Sequence, residues 1–140
     1  MQVVINNCFG GFGLSLKAQK RYAELKGFAL FFYKQTRYPW DGDKEEFTKI
    51  TDIDKNCFGS LSITKDLGNV TDSLPDGSYF FSHNIERTDP VLLQVIQELG
   101  DAANGECSSL KIVDIPDGVD WQIDEYDGNE WVAEKHQTWS

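Results

Sequence analysis

The chain has 140 residues, enough for one domain with a real core, and its 40% apolar and 13% aromatic content excludes a disordered polypeptide. No run approaches the roughly 18 consecutive apolar residues of a membrane span, and Met1-Gln2 leads straight into Val3-Val4-Ile5 without the features of a secretory signal, so a soluble, cytoplasmic protein is expected. The net charge is −10, but residues 1–40 hold six Lys and Arg against Glu24 alone, a net +5 that leaves −15 for residues 41–140; such a surface repels duplex nucleic acid yet leaves room for a small anion at a local basic cluster.

Met1 to Asn6 reads as a short buried strand built on the β-branched run Val3-Val4-Ile5. A glycine-aromatic turn follows, Asn6-Asn7-Cys8-Phe9-Gly10-Gly11-Phe12-Gly13. Ser15 is a credible N-cap for a helix that runs to Lys26 with Leu16, Tyr22 and Leu25 near one face, and Gly27 stands where a left-handed C-cap belongs. Phe28 to Tyr33 is expected as the second strand. Residues 1–36 thus form a strand-turn-helix-strand unit.

The segment 37–84 is a variable middle without a clear assignment. Tyr38-Pro39-Trp40-Asp41-Gly42-Asp43 and Pro75-Asp76-Gly77 are turns, Phe47 and Ile50 suggest a short helical or strand piece, and Leu61-Ser62-Ile63 suggests a strand. Residues 85–140 read as a helix plus a C-terminal sheet. Asp89 caps the helix with Pro90 at its first position, Leu92, Leu93, Val95, Ile96 and Leu99 form its apolar stripe, and Gly100 or Asn104-Gly105 ends it. Leu110 to Ile115 is a strand, Val119 to Tyr126 another, and Asp127-Gly128 marks a hairpin before Trp131-Val132. The predicted architecture is a single small α+β domain, mostly antiparallel sheet with two main helices.

Three constellations could bear on function. In the turn, Gly10, Gly11 and Gly13 allow positive φ and close approach to a ligand, Phe9 and Phe12 could stack on a base, and Asn6 and Asn7 could bond its edge. A tight strand-to-helix connection with its phenylalanines in the core explains the same residues. The turn is neither a Walker loop nor a Rossmann fingerprint. In Phe80-Phe81-Ser82-His83-Asn84-Ile85-Glu86-Arg87, Arg87 could grip a phosphate, or pair with Asp89 or with the acidic C-terminal sheet. The run Asp117 to Asp127 holds several carboxylates beside aromatics, but its spacing fits no EF-hand loop, and its alternation suggests acids facing water. Cys8, Cys57 and Cys107 are too dispersed for a disulfide framework or a zinc site, and His83 and His136 are the only histidines. The residues therefore predict a binding protein, with no catalytic residue, cofactor or metal.

Three stretches carry a resemblance: Val3-Val4-Ile5-Asn6-Asn7-Cys8-Phe9-Gly10-Gly11-Phe12-Gly13-Leu14-Ser15, Glu86-Arg87-Thr88-Asp89-Pro90 and Val113-Asp114-Ile115-Pro116-Asp117-Gly118-Val119-Asp120-Trp121. Across roughly residues 1–27 and 85–139 the chain resembles a group of small phage proteins, the Thoeris anti-defence proteins. The resemblance implies a non-catalytic sponge that sequesters cyclic ADP-ribose isomers made by bacterial TIR enzymes, and in some members cyclic oligonucleotides. It also implies a symmetric homo-oligomer, a dimer or hexamer, with sites between subunits.

The candidate ligand contacts rest on chemistry rather than on the resemblance. A purine ligand with two phosphates needs N–H donors, an arginine and an aromatic face. Asn6, Asn7, Phe9, Gly10, Gly11, Phe12, Arg21, Phe81, Asn84 and Arg87 could supply these. The rival reading is an acidic inhibitor that mimics DNA phosphates with its C-terminal carboxylates, and a phosphodiesterase-like or glycosidase-like enzyme is a further alternative.

Overall fold

A computed structural model describes residues 1–41, 44–55 and 59–135. Gly42, Asp43, Cys57 and His136 lie outside the described residues. The elements in chain order are β1 (Gln2–Asn6), α1 (Leu16–Lys26), β2 (Phe31–Arg37), β3 (Glu46–Lys49), β4 (Leu61–Ile63), β5 (Val70–Thr71), α2 (Pro90–Leu99), β6 (Leu110–Asp114), β7 (Trp121–Tyr126) and β8 (Asn129–Glu134). Every strand pairing is antiparallel: β1 with β6, a four-stranded sheet in the order β4-β2-β3-β5, and the β7-β8 hairpin. This is an α+β fold with two helices. Among the described residues no helix is long and apolar enough to cross a membrane.

Both helices begin and end as their sequences dictate. The Ser15 hydroxyl accepts the Ala18 N–H at 3.1 Å, and Gly27, at φ 89°, closes α1. The Gly27 and Phe28 N–H groups turn back onto Glu24 and Ala23 carbonyls, the paired bonds of a Schellman ending. That ending consumes Phe28, so the second strand starts at Phe31 and runs to Arg37 instead of covering Phe28 to Tyr33. The middle, where sequence patterning suggested a strand at Leu61-Ser62-Ile63 and little else, supplies three strands of the four-stranded sheet, β4 at that position among them. These are two to four residues long, too short for alternation to register.

Val4, Leu14, Ala18, Tyr22, Leu92, Val95 and Ile96 form the main core between β1 and the two helices. Leu16, Ala23, Leu30 and Phe32 fill a second cluster under the four-stranded sheet, and Tyr33, Phe47 and Ile63 a third. Gln19 is buried on α1, where its side chain donates to the Leu14 carbonyl and accepts from the Ser62 hydroxyl, tying the helix to β4.

Asp89 joins the helices. Its carboxylate accepts the Val91 N–H at 2.8 Å and the Tyr22 hydroxyl at 2.7 Å, and lies 3.1 Å from the Lys26 ammonium. Asp89→Ala should cost about 2–4 kcal/mol, a lost cap plus lost charge-assisted bonds. Burial alone would raise this carboxyl's pKa, but hydrogen bonds from Tyr22, the Val91 amide and Lys26 outweigh it and hold the pKa below the ordinary value. The contribution is therefore fully present above the unfolded pKa near about 4 and is lost as pH falls through the lower folded value. Urea midpoints of wild type and Asp89→Asn should differ at pH 7 and draw together towards pH 2; a constant gap contradicts the assignment.

Candidate ligand-binding site

The glycine turn is positioned by β1, and its close approaches are to the protein's own chain. Gly10 and Gly11 have φ of 120° and 99°. A side chain on Gly10 would stand 2.7 Å from the Cys107 carbonyl oxygen, and one on Gly128 would stand 2.8 Å from the Gly10 nitrogen. The Gly10 N–H donates to the Asp127 carbonyl at 3.1 Å. Gly10 is thus needed where the loop passes Cys107, and Gly128 where the β7-β8 turn, left-handed at Asp127 and Gly128, docks on the loop.

Asn6 and Arg87 are reassigned from ligand contact to framework. Asn6 is fully buried. Its amide donates to the Cys8 and Gly128 carbonyls at 2.7 and 2.8 Å and accepts the Ser109 N–H at 2.8 Å, so none of its edge is left for a base. Arg87 makes a two-pronged pair with Glu130 on β8, at 2.6 and 3.0 Å, and also donates to the Val4 carbonyl. Its guanidinium lies 3.6 Å over the Phe12 ring, which packs against the core. Glu130 is buried, unlike the solvated acids expected of this hairpin, and its carboxylate also accepts the Asn6 N–H at 2.8 Å. Val4 N–H bonds the Arg87 carbonyl, so one salt-bridged pair supplies the acceptors for the Val4 and Asn6 N–H groups on the edge of β1 opposite β6.

The other candidates are dispersed. Arg21 lies on the outer side of the helix pair, 2.8 Å from Glu98 of α2 and 3.5 Å from Glu24. The Glu98 hydrogen bond raises its pKa and holds the Glu98 carboxyl below its usual range. Phe9 remains exposed and meets Tyr126 edge-on at 6.5 Å, while Asn7 is exposed with its N–H on the Ser109 carbonyl.

Phe81 and Asn84 are brought together in a more open arrangement. Residues 78–80 lie antiparallel along the free edge of β4: the Thr64 N–H donates to the Ser78 carbonyl and the Phe80 N–H to the Ser62 carbonyl. Alternation along this extended segment sends Phe80 inward, against Tyr22 and Phe28, and places Tyr79 and Phe81 on the opposite side. The Tyr79 and Phe81 rings stack at 5.9 Å and 9° and remain 36% and 49% exposed. A short 3-10 turn, Ser82–Asn84, then brings the His83 ring to 5.3 Å from Phe81.

Two cavities flank this ledge. One of about 150 Å³ is walled by Gln19, Ser60, Ser62, Ser82 and His83, and one of about 260 Å³ by Tyr22, Asn84 and Ile85. Flat rings bordered by hydroxyl, amide and imidazole groups suit a planar heterocycle with polar substituents. Ser82 and His83 stood in the Phe80 to Arg87 constellation but not among the candidate contacts, and Tyr79 in neither. Their signal was the alternation Tyr79-Phe80-Phe81 just after the Pro75-Asp76-Gly77 turn, in which the Ser78 N–H closes on the Pro75 carbonyl. Among the described residues no group of three His, Cys, Asp or Glu side chains could hold a metal ion.

No protein-family model matches this chain, nor does any curated protein or solved structure.

Proposed function

We propose that the protein binds and sequesters a cyclic nucleotide immune signal of the cyclic ADP-ribose type, without cleaving it, and that the base stacks on the Tyr79–Phe81 ledge. The observation that carries this reading is the exposed parallel pair of rings between two polar-walled cavities. Stacking of one base on an aromatic side chain contributes about 1–3 kcal/mol. The Ser60 and Ser82 hydroxyls, His83 and Asn84 line the flanking cavities and would bond the sugar, phosphates and base edge. A second copy of the chain completes the pocket around the ligand's far side. Sequestration needs tight contact and no nucleophile.

Isothermal titration with glycocyclic ADP-ribose tests the reading, followed by heat release and mass spectrometry of the ligand. Wild type should bind, and the ligand should return intact. Phe81→Ala should weaken binding at least about tenfold, the loss of roughly 1.4 kcal/mol, with an unchanged urea midpoint because the ring is half exposed. Absence of binding, or recovery of a hydrolysed product, overturns it.

One observation favours the rival DNA-mimic reading: Asp120, Glu125 and Asp127 are exposed on or beside the C-terminal hairpin. Charge reversal at Asp120, Asp124 and Asp127 should leave nucleotide binding nearly intact but would abolish salt-sensitive binding to a DNA-binding protein.

A further inference from the structure

A further cavity, which shares no lining residue with the two beside the aromatic ledge, has a different chemistry. The Ile50 N–H bonds the Phe32 carbonyl at 2.7 Å, and beyond that rung the chains leading into β2 and out of β3 part. Between them opens a cavity of about 490 Å³. Phe28, Leu30, Phe32, Ile50 and Ile53 give it an apolar lining, and Lys20 and Glu24 of α1 stand along one wall. Lys20 and Glu24 are four residues apart and so share one helix face.

The charges at the rim are unequal. Glu24 lies 3.5 Å from Arg21, which draws its carboxylate into the Arg21–Glu98 network. Lys49, on the sheet side, is held 2.5 Å from Asp66, with its ammonium 5.2 Å over the Phe31 ring. Lys20 is exposed and makes no ion pair among the described residues. Among the described residues the rim therefore presents one cation without an ion pair, Lys20, above an apolar floor, and the volume lies in the range of small-molecule sites, about 300–1,000 Å³.

We propose that this cavity is a second binding site, for a small amphipathic anion whose aliphatic or aromatic body fills the apolar cleft and whose carboxylate or sulfonate meets Lys20. The complementarity is specific in sign and shape. A neutral molecule of equal size gains the burial but not the ion pair, and a nucleotide carries too much charge and hydrogen-bonding surface for a floor of phenylalanine, leucine and isoleucine side chains. Its lining shares no residue with the two cavities at the Tyr79–Phe81 ledge, and Phe28 meets Phe80 between them.

Titration calorimetry with decanoate and with decanol, on the full chain, tests the proposal. Decanoate should bind wild type, decanol at least tenfold more weakly, and Lys20→Glu should weaken decanoate at least tenfold while decanol is unchanged. Because Lys20 is exposed, that variant keeps the fold, which a wild-type urea midpoint verifies. Ile53→Trp, which fills the cleft, should abolish decanoate binding and leave glycocyclic ADP-ribose binding as it was. Loss of nucleotide binding alone therefore counts against the ledge and not against this cavity. Equal affinity for decanoate and decanol, an unaltered decanoate affinity in Lys20→Glu, or no decanoate binding at all overturns the proposal. So does a sedimentation shift from dimer to monomer in Ile53→Trp without wild-type decanoate binding, because the cleft is then the contact between two copies.

Discussion

Glu130→Ala is expected to destabilise the protein by about 3–5 kcal/mol, the penalty for removing one partner of a buried ion pair. The side chains of Arg87 and Glu130 are 16% and 8% exposed, so the variant leaves a guanidinium in a nearly dry setting with only the Val4 carbonyl as acceptor. It also strips the Asn6 N–H of its acceptor. Arg87→Ala should cost a similar amount, because the carboxylate is then the uncompensated charge and the Phe12 ring loses its cover. The double variant Arg87→Met/Glu130→Met separates this account from a simple count of lost contacts. With both charges gone and their volume refilled, its deficit should be well below the sum of the singles. Urea unfolding at pH 7 of wild type, Arg87→Met, Glu130→Met and the double variant supplies the cycle, and strict additivity of those two singles contradicts the assignment.

Gly128→Ala should cost about 3–5 kcal/mol, combining a left-handed backbone with a clash that no side-chain movement relieves. Gly128 has φ 86°, and the new methyl would press on the backbone nitrogens of Gly10 and Gly11. The hairpin turn must lift from the loop, breaking the Gly10–Asp127 bond and removing the Gly128 carbonyl from the Asn6 amide. Gly118→Ala is the control: it shares the positive φ, at 80°, but its methyl would meet nothing. It should cost only the backbone term, about 1–2 kcal/mol. Equal losses for the two variants, measured as urea midpoints, would remove the close approach from the explanation.

The parts of the fold legible in the sequence are those governed by local chemistry. Ser15, Gly27, Asp89 with Pro90, and Asp127-Gly128 each mark their boundary through side-chain caps or positive φ, and each does so in the structure. Of the four-stranded sheet, β4 at Leu61–Ile63 and part of β2 were legible, but β5 was not, because Val70–Thr71 is fixed by the neighbour it pairs with and not by its own pattern. The site was legible in part for the same reason. Arg87 allowed two readings from sequence, an anion contact or a pair with the acidic C-terminal sheet, and the structure has the second, with Glu130 forty-three residues away. Asn6 looked free because its three partners lie at Cys8, Ser109 and Gly128. Gly10 did mark a close approach, but to Cys107, with its N–H on the Asp127 carbonyl of the hairpin turn. Phe81 and Asn84 were singled out for a different reason, their place before α2, and it took the pairing of residues 78–80 with β4 to place Tyr79 beside them.

The central claim is that the Tyr79–Phe81 ledge holds the base of an uncleaved cyclic nucleotide. A crystal structure of the protein with glycocyclic ADP-ribose tests it directly. The account predicts an intact ligand with its adenine in van der Waals contact with the face of Phe81 and its polar groups on His83, Asn84 and the flanking serines. Density for the ligand at the glycine turn, a ledge left empty in the presence of bound nucleotide, or an opened ring would contradict it.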